Sequence, residues 1–502
     1  MNFGIIRNLV GKIMILVGAL MLLPLTMCII YKEVFRNYLS FLVPIVSLIG
    51  IGILMNIKKA NLKLQAREGF VIVASSWLIM SMFGALPLLI SGYYPNFFNA
   101  FFEITSGFTT TGASVTTAPL MEELLNSGHS ILFWRSFSHW IGGMGVLVFI
   151  LAIIPESDEG SSVHILRAES PGPQVGRLVS KMKASARILY LIYIGLSLLE
   201  TIILWVGPNK EMDLFASLLY TFGTAGTGGF AISPISVEAY SAYYQYVIGI
   251  FMIVFGTNFT IFYLLLIGKF KDIFKNEEYR WYLATIVVAV VIVMISIRNL
   301  TSSFEEIFRL SFFQVSSVIS TTGFSTTDFN TWPGAAHVVL VILMVFGSCG
   351  GSTGGAIKIS RIVIILKSSF SRIRNMTSPR KVSTVRFNGE PISKETINGV
   401  YTFVILYAII IITGALFVSV DGADITTNFT ASLACISNIG PGLGQVGPYG
   451  SYAFFSGFSK FVLSIEMIAG RLELFPILIL FNPKTWLSLW KMVSWMAVSG
   501  KK

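Results

Sequence analysis

Charge is scarce in this 502-residue sequence: Asp, Glu, Lys and Arg make up 12% of it, against 54% hydrophobic residues and a mean hydropathy of +0.75. That much apolar surface cannot be hidden in a soluble core of this size, so the composition excludes a soluble domain and assigns the chain to a bilayer. Cysteine is almost absent. Cys28, Cys349 and Cys435 lie in apolar or glycine-rich surroundings without metal-ligand spacing, and read as unpaired packing residues. No Ser/His/Asp order, paired-carboxylate site or metal cluster supports catalysis, so the sequence reads as a non-enzyme.

Two glycine stretches imitate nucleotide motifs and fail on chemistry. Gly350 and Gly355 have phosphate-loop spacing, but Ala356 and Ile357 stand where Lys and Ser/Thr are required. The run from Gly226 to Ala231 lacks the strand before it and the acidic residue after it that a dinucleotide site needs. No nucleotide bound by this chain is expected.

What the sequence does contain is long apolar runs. A spanning helix needs roughly 20 apolar residues, and ten candidates occur, at 13–31, 39–57, 69–91, 131–154, 187–206, 242–267, 281–299, 336–366, 397–419 and 456–481. The first resembles a signal peptide in its basic flank, but its length and the second span close behind it mark it as retained. With the N-terminus inside, 28 of the 36 Lys and Arg fall in cytoplasmic segments. The positive-inside rule therefore explains the net charge of +11, and nucleic acid is not needed as a partner. The longest basic connector, 367–396, is either an anchor at anionic lipid or a docking site for a cytoplasmic partner.

A short pattern recurs four times between these spans. Its reference glycines are Gly112, Gly229, Gly323 and Gly440, in the contexts Thr110-Thr111-Gly112, Thr227-Gly228-Gly229, Thr321-Thr322-Gly323 and Asn438-Ile439-Gly440. The steps are 117, 94 and 117 residues, which indicates one module used four times. Before each glycine lies a half-apolar piece, 97–108, 212–223, 304–319 or 426–437, too short to cross at 1.5 Å per residue. Each reads as a half-helix whose negative dipole end faces the turn, where a cation is favoured. Rings of main-chain carbonyls replace a cation's hydration shell, threonine hydroxyls add oxygens, and no carboxylate in the turns invites a divalent ion. The fold expected is an all-α polytopic membrane protein: four tandem outer helix–pore helix–inner helix repeats around a pseudo-fourfold pore, plus an N-terminal two-helix hairpin, with ten spanning helices. The units are 1–60 (hairpin), 61–165, 166–275, 276–390 and 391–502.

Two further features stand out below the turns. Residues 347–355, including Gly347, Gly350, Gly351, Gly354 and Gly355, interrupt the inner span of the third repeat. Such backbone survives at membrane depth only where it is buried in protein or lines water, so it reads as a gate or else a passive kink. Arg471 lies inside the last apolar span, where a charge is costly and usually functional. Its partner could be Glu473, Glu466 or carbonyls of the 347–355 loop, and snorkelling to the interface is the plainer alternative. His139, Glu200 and Asn258 read as helix-packing polar residues.

With the four modules, Thr-Thr-Gly-Phe at 321–324, the break Gly350-Gly351-Ser352-Thr353-Gly354-Gly355-Ala356-Ile357-Lys358, Gly-Pro-Gly-Leu-Gly at 440–444 and Gly-Arg-Leu-Glu at 470–473, the chain resembles the Trk/Ktr/HKT superfamily. The N-terminal hairpin, Trp140-Ile141-Gly142-Gly143-Met144-Gly145 and the run 167–173 resemble its TrkH branch. The resemblance implies potassium as the transported ion, the four reference glycines as filter residues, 347–355 as gate loop and Arg471 as its arginine. It also implies a homodimer with one pore per subunit, docked on a cytoplasmic nucleotide-binding TrkA-type ring. A bacterial plasma (inner) membrane location with both termini cytoplasmic follows. The alternative activity is a sodium- or proton-coupled potassium symporter. A membrane-bound binding or sensor module is a third class.

Overall fold

The structure is a computed structural model and describes residues 3–58, 66–145, 182–378, 384–483 and 485. The 167–173 run, the end of the 131–154 span and most of the C-terminal basic segment lie outside the described residues. Six described helices are long and apolar enough to cross a membrane: 3–30, 35–56, 68–91, 186–205, 277–297 and 394–421. Ala242–Phe255 and Phe259–Leu266, bent by 93° at a short break, make a seventh if they are taken as one span. The other three expected spans are the remaining inner segments, each broken or continuing past the described residues. The ten-span reading is consistent with this arrangement.

Four short helices stand apart from the spanning ones: Phe97–Phe108, Leu214–Ala225, Phe304–Ile319 and Ile425–Ser437. At 12 to 16 residues they are about 18–24 Å long, so none spans a hydrocarbon core of about 30 Å. Local chemistry starts each one in the same way. Asn96, Asp213, Ser303 and Asp424 accept hydrogen bonds from the first-turn amides, satisfying donors that a helix leaves open. We call these the pore helices, and each packs between an outer helix before it and an inner helix after it.

The second, third and fourth inner helices are interrupted beneath the pore-helix C-termini, and the described part of the first stops there too. The first, His129–Gly143, ends at Gly142-Gly143. The second bends at Gly256-Thr257-Asn258, where Asn258 caps the lower piece through the Thr260 amide at 2.9 Å. The third stops at Val345 and resumes at Ile359. In the fourth, Gly457–Arg471 gives way to Phe475–Phe481 through Glu473 and Leu474, both at positive φ. The sequence announced only the third break. Close approach explains the small residues here: a β-carbon at Gly142 would lie 1.9 Å from the Phe108 carbonyl oxygen, and one at Gly470 1.9 Å from that of Ile436.

The N-terminal hairpin, Phe3–Leu20 with Leu22–Ile30 against Phe35–Asn56, packs on the first repeat. Glu33 in its turn accepts the Ser130 amide at 2.8 Å and so caps the first inner helix. In the third connector Arg386–Phe387 and Glu390–Pro391 form a two-stranded antiparallel ribbon.

Candidate functional site: a ring of four turns

Each pore helix ends in the same hydrogen-bonded motif. The amides of Thr111, Gly228, Thr322 and Ile439 reach back five residues to Ser106, Gly223, Ser317 and Ala434 carbonyls at 2.8–3.0 Å. The amides of Thr110, Thr227, Thr321 and Asn438 reach back three residues at 3.0–3.2 Å. This pair of bonds is the Schellman C-cap, which puts its C′ residue in the left-handed region. Here that residue has φ of 55°, 54°, 61° and 54°. Three of the four are threonine, for which such a backbone is unfavourable by about 1–2 kcal/mol. Strain repeated at one place in four modules is held there by the surroundings.

Two residues further on, the reference glycines have φ of 81°, 73°, 86° and 95°, while the residue between stays out of that region. The amides are thus spent on the pore helix and the peptide planes alternate. Among the described residues, Gly440 is the one member of these twelve whose carbonyl accepts a protein hydrogen bond, from the Tyr452 hydroxyl at 2.7 Å.

The turns meet in a closed ring. A β-carbon at Gly112 would lie 1.9 Å from the Gly228 carbonyl oxygen, at Gly229 2.0 Å from Thr322 O, at Gly323 1.9 Å from Ile439 O, and at Gly440 2.7 Å from Thr111 O. Each glycine abuts the middle carbonyl of the next turn, and the fourth returns to the first. All four also line one cavity of about 320 Å³. All twelve turn residues named from the sequence are therefore brought together. Of the threonine hydroxyls, those of Thr111 and Thr322 hydrogen-bond within the protein, to Thr109 Oγ1 at 2.8 Å and Ser320 Oγ at 2.7 Å.

A buried charge pair lies beside the ring, at residues that no motif had singled out. Arg135 donates to Glu103 Oε1 through Nε at 2.8 Å and Nη2 at 2.6 Å. Glu103 also accepts from the Val115 amide at 2.8 Å and the Ser114 hydroxyl at 2.8 Å, tying down the segment that follows the first turn. The guanidinium carbon sits 4.3 Å from the Phe230 ring centroid, just past the second turn. Two charges in apolar runs were the available signal.

Below the ring, 347–358 forms a non-helical loop crossed by its own bonds, Ser352 N to Cys349 O at 3.3 Å and Ser348 Oγ with Ser352 Oγ at 2.8 Å among them. Its ends join through Gly347 N to Ile357 O at 2.9 Å. Gly355 N donates to Thr321 Oγ1 at 2.7 Å, which puts the loop directly under the third turn. Gly354 and Gly355 press on the pore-helix ends, with β-carbon positions 2.8 Å from Ser320 O and 2.4 Å from Ser437 O. Gly350 and Gly351 lie at the other end, beside Glu278 and Asn258. Glu278, another residue the sequence reading passed over, accepts from Gly350 N at 2.8 Å and Ser360 N at 3.1 Å and so clamps both limbs.

Arg471 reaches this loop, as one of the expectations held. Its guanidinium donates to Thr353 O at 2.6 Å, to Gly143 O at 2.7 Å and to Gly142 O. The other two suggested partners are engaged elsewhere: Glu473 with Arg361, and Glu466 with Ser432 Oγ at 2.9 Å. Arg471 therefore ties three repeats together under the ring, capping the first inner helix where a cation is favoured.

A membrane-embedded bundle of four repeated modules that brings four carbonyl-rich turns into one ring defines a polytopic transport protein. The family model described as TrkH, cation transport protein, matches residues 40–488, and the chain belongs to that family. It is 31% identical to the Trk system potassium uptake protein TrkH of Escherichia coli K12 over 97% of this chain and 100% of the relative. It is also 31% identical to the potassium uptake protein TrkG of that strain, over 96% and 99%. The crystal structure of the potassium transporter TrkH from Vibrio parahaemolyticus superposes with a TM-score of 0.84 at 28% identity, covering 97% of this chain and all of that one. The family's function is transport and not enzymatic.

Proposed function

We propose that this chain takes up potassium through a gated pore whose selective element is the ring at 110–112, 227–229, 321–323 and 438–440. The observation that supports this best is the cyclic abutment of each glycine on the next turn's carbonyl. Oxygens held by a rigid main chain stand in for water around a dehydrated monovalent ion. Four pore-helix C-termini add partial negative charge toward the same centre. An inside-negative potential supplies about 2.3 kcal/mol per 100 mV for each charge moved inward.

The loop 347–355 is the barrier, with Arg471 adding a fixed positive charge beneath the ring. A cation leaving the ring meets both, and displacement of the loop opens the path. The repeats follow the units given above, with the pore-helix N-termini at the outer face and both chain termini cytoplasmic, in a bacterial inner membrane. Two chains pair with one pore each, and the basic connector 367–396 docks a cytoplasmic nucleotide-binding ring. The relatives' designation as parts of a Trk system supports a multi-component assembly.

Flux of potassium, rubidium and sodium in proteoliposomes of the purified chain tests the reading. A reversal potential set by potassium alone is expected. One that moves with the pH or sodium gradient would instead establish coupled symport, and ion binding without flux would establish a sensor.

A further inference from the structure

One turn differs from the others at its middle position. Gly228 stands where the other three carry Thr111, Thr322 and Ile439. Backbone conformation does not demand this glycine, because Gly228 is not among the positive-φ residues, and an L-residue could adopt its conformation. Space is what excludes a side chain. A β-carbon at 228 would lie 2.4 Å from both Cγ and Nδ1 of His139.

His139 comes from the inner helix of the preceding repeat and is fully buried. Its ring stacks on Phe230, centroids 4.2 Å apart and planes 28° from parallel. Neither ring nitrogen makes a hydrogen bond of good geometry among the described residues, although the Ser106 backbone lies close to it, and stacking on Phe230 helps hold the imidazole in place. In the other turns the middle side chain does its own packing behind the ring. Thr111 Oγ1 accepts from Asn438 Nδ2 at 3.0 Å, Thr322 Oγ1 meets Ser320 Oγ, and Ile439 is fully buried.

We propose that His139 is a specificity-determining positioning residue: its imidazole supplies, from the neighbouring repeat, the packing that Gly228 lacks, and so fixes the second turn's carbonyls in the ring. This rests on the reading of the ring as the selectivity filter. Removing the ring leaves a void behind Gly228, into which the turn can relax, loosening the fit to one ion size. Adding a side chain at 228 without removing the imidazole displaces the turn toward the axis.

The test is a complementary swap read as the potassium-to-sodium permeability ratio in proteoliposomes, with thermal unfolding in detergent confirming the fold of each variant. H139G is expected to keep flux and lower the ratio about tenfold, while G228T suppresses uptake. The double variant H139G/G228T, which gives the second turn a threonine like the others, is expected to return the ratio to within about threefold of the starting protein. A folded H139G with an unchanged ratio overturns the proposal, as does a double variant whose defect is the product of the two singles. If G228T does not fold, H139F decides: the phenyl ring fills the same space and should keep the ratio, and losing it as fully as H139G does overturns the packing role. Gly323→Asp serves as the control. If it leaves selectivity intact the filter reading fails, whereas if it destroys selectivity and His139 proves uncoupled from Gly228, only this inference fails.

Discussion

The ring and the layer under it are built from the same four repeats, yet they treat repetition differently. At the ring the four turns share one hydrogen-bond pattern and one sequence of φ signs within about 20°. One layer below, the breaks diverge: a three-residue bend in the second repeat, a three-residue turn in the fourth and a long loop in the third. An ion stripped of water must find oxygens on all sides at once, so the ring tolerates little asymmetry. Closing a pore needs only one obstacle, so a single repeat can carry it while the others buttress.

The largest effect should come from breaking the ring. Gly323→Asp places a side chain at φ 86° and against the Ile439 carbonyl, and potassium flux should fall on the order of 100-fold, as loss of ~3 kcal/mol of ion stabilisation would give. Unchanged flux and selectivity in liposomes would remove the filter assignment. Glu103→Gln should cost about 3–5 kcal/mol of stability by leaving Arg135 buried without its counter-charge. A melting temperature within a degree of the starting protein would show that the pair does not brace the ring.

Beneath the ring the prediction reverses sign. Deleting 350–354 should raise basal flux about tenfold, the ratio expected when a closed state loses ~1.4 kcal/mol of preference. A folded but silent deletion variant would show that the loop props the ring and does not gate it. The smallest effect concerns Asp424, whose carboxyl is held below the usual carboxylate range by hydrogen bonds from the Thr427 hydroxyl and nearby amides. A depressed folded-state pKa stabilises above the unfolded-state value, and that contribution is lost as pH falls through the folded-state value. Asp424→Ala should therefore cost about 1 kcal/mol near neutrality and progressively less in acid, measured as unfolding temperature against pH.

Much of the ring was legible in the sequence because its requirements are local. Glycine at 112, 229, 323 and 440 is imposed by positive φ within three residues of chain, and each is preceded by an apolar piece too short to cross. The Gly-Ser-Thr run at 347–355 was equally visible, since few such residues sustain a helix. The breaks at 256–258 and 472–474 were not, because the runs 242–267 and 456–481 stay mostly apolar across them and look continuous whether or not Glu473 and Leu474 turn left-handed. Arg471 was conspicuous as a charge, but three candidate partners could not be ranked without knowing which carbonyls lay within reach. Glu278 carried no local signature at all, and His139 showed only as a polar residue packed in a helix, with nothing to point to its place behind Gly228.

By itself, then, the sequence determined that the chain lives in a bilayer, repeats a helix–turn–helix module four times and places a glycine where each turn must pass through left-handed backbone. Those are properties of composition, period and single-residue sterics. Tertiary structure alone decided that turn one touches turn two and turn four returns to turn one, that an imidazole from one repeat fills the gap in the next, and that Arg471 joins the loop to the first inner helix. Such contacts form between residues tens to hundreds of positions apart, and only chain packing in three dimensions selects them.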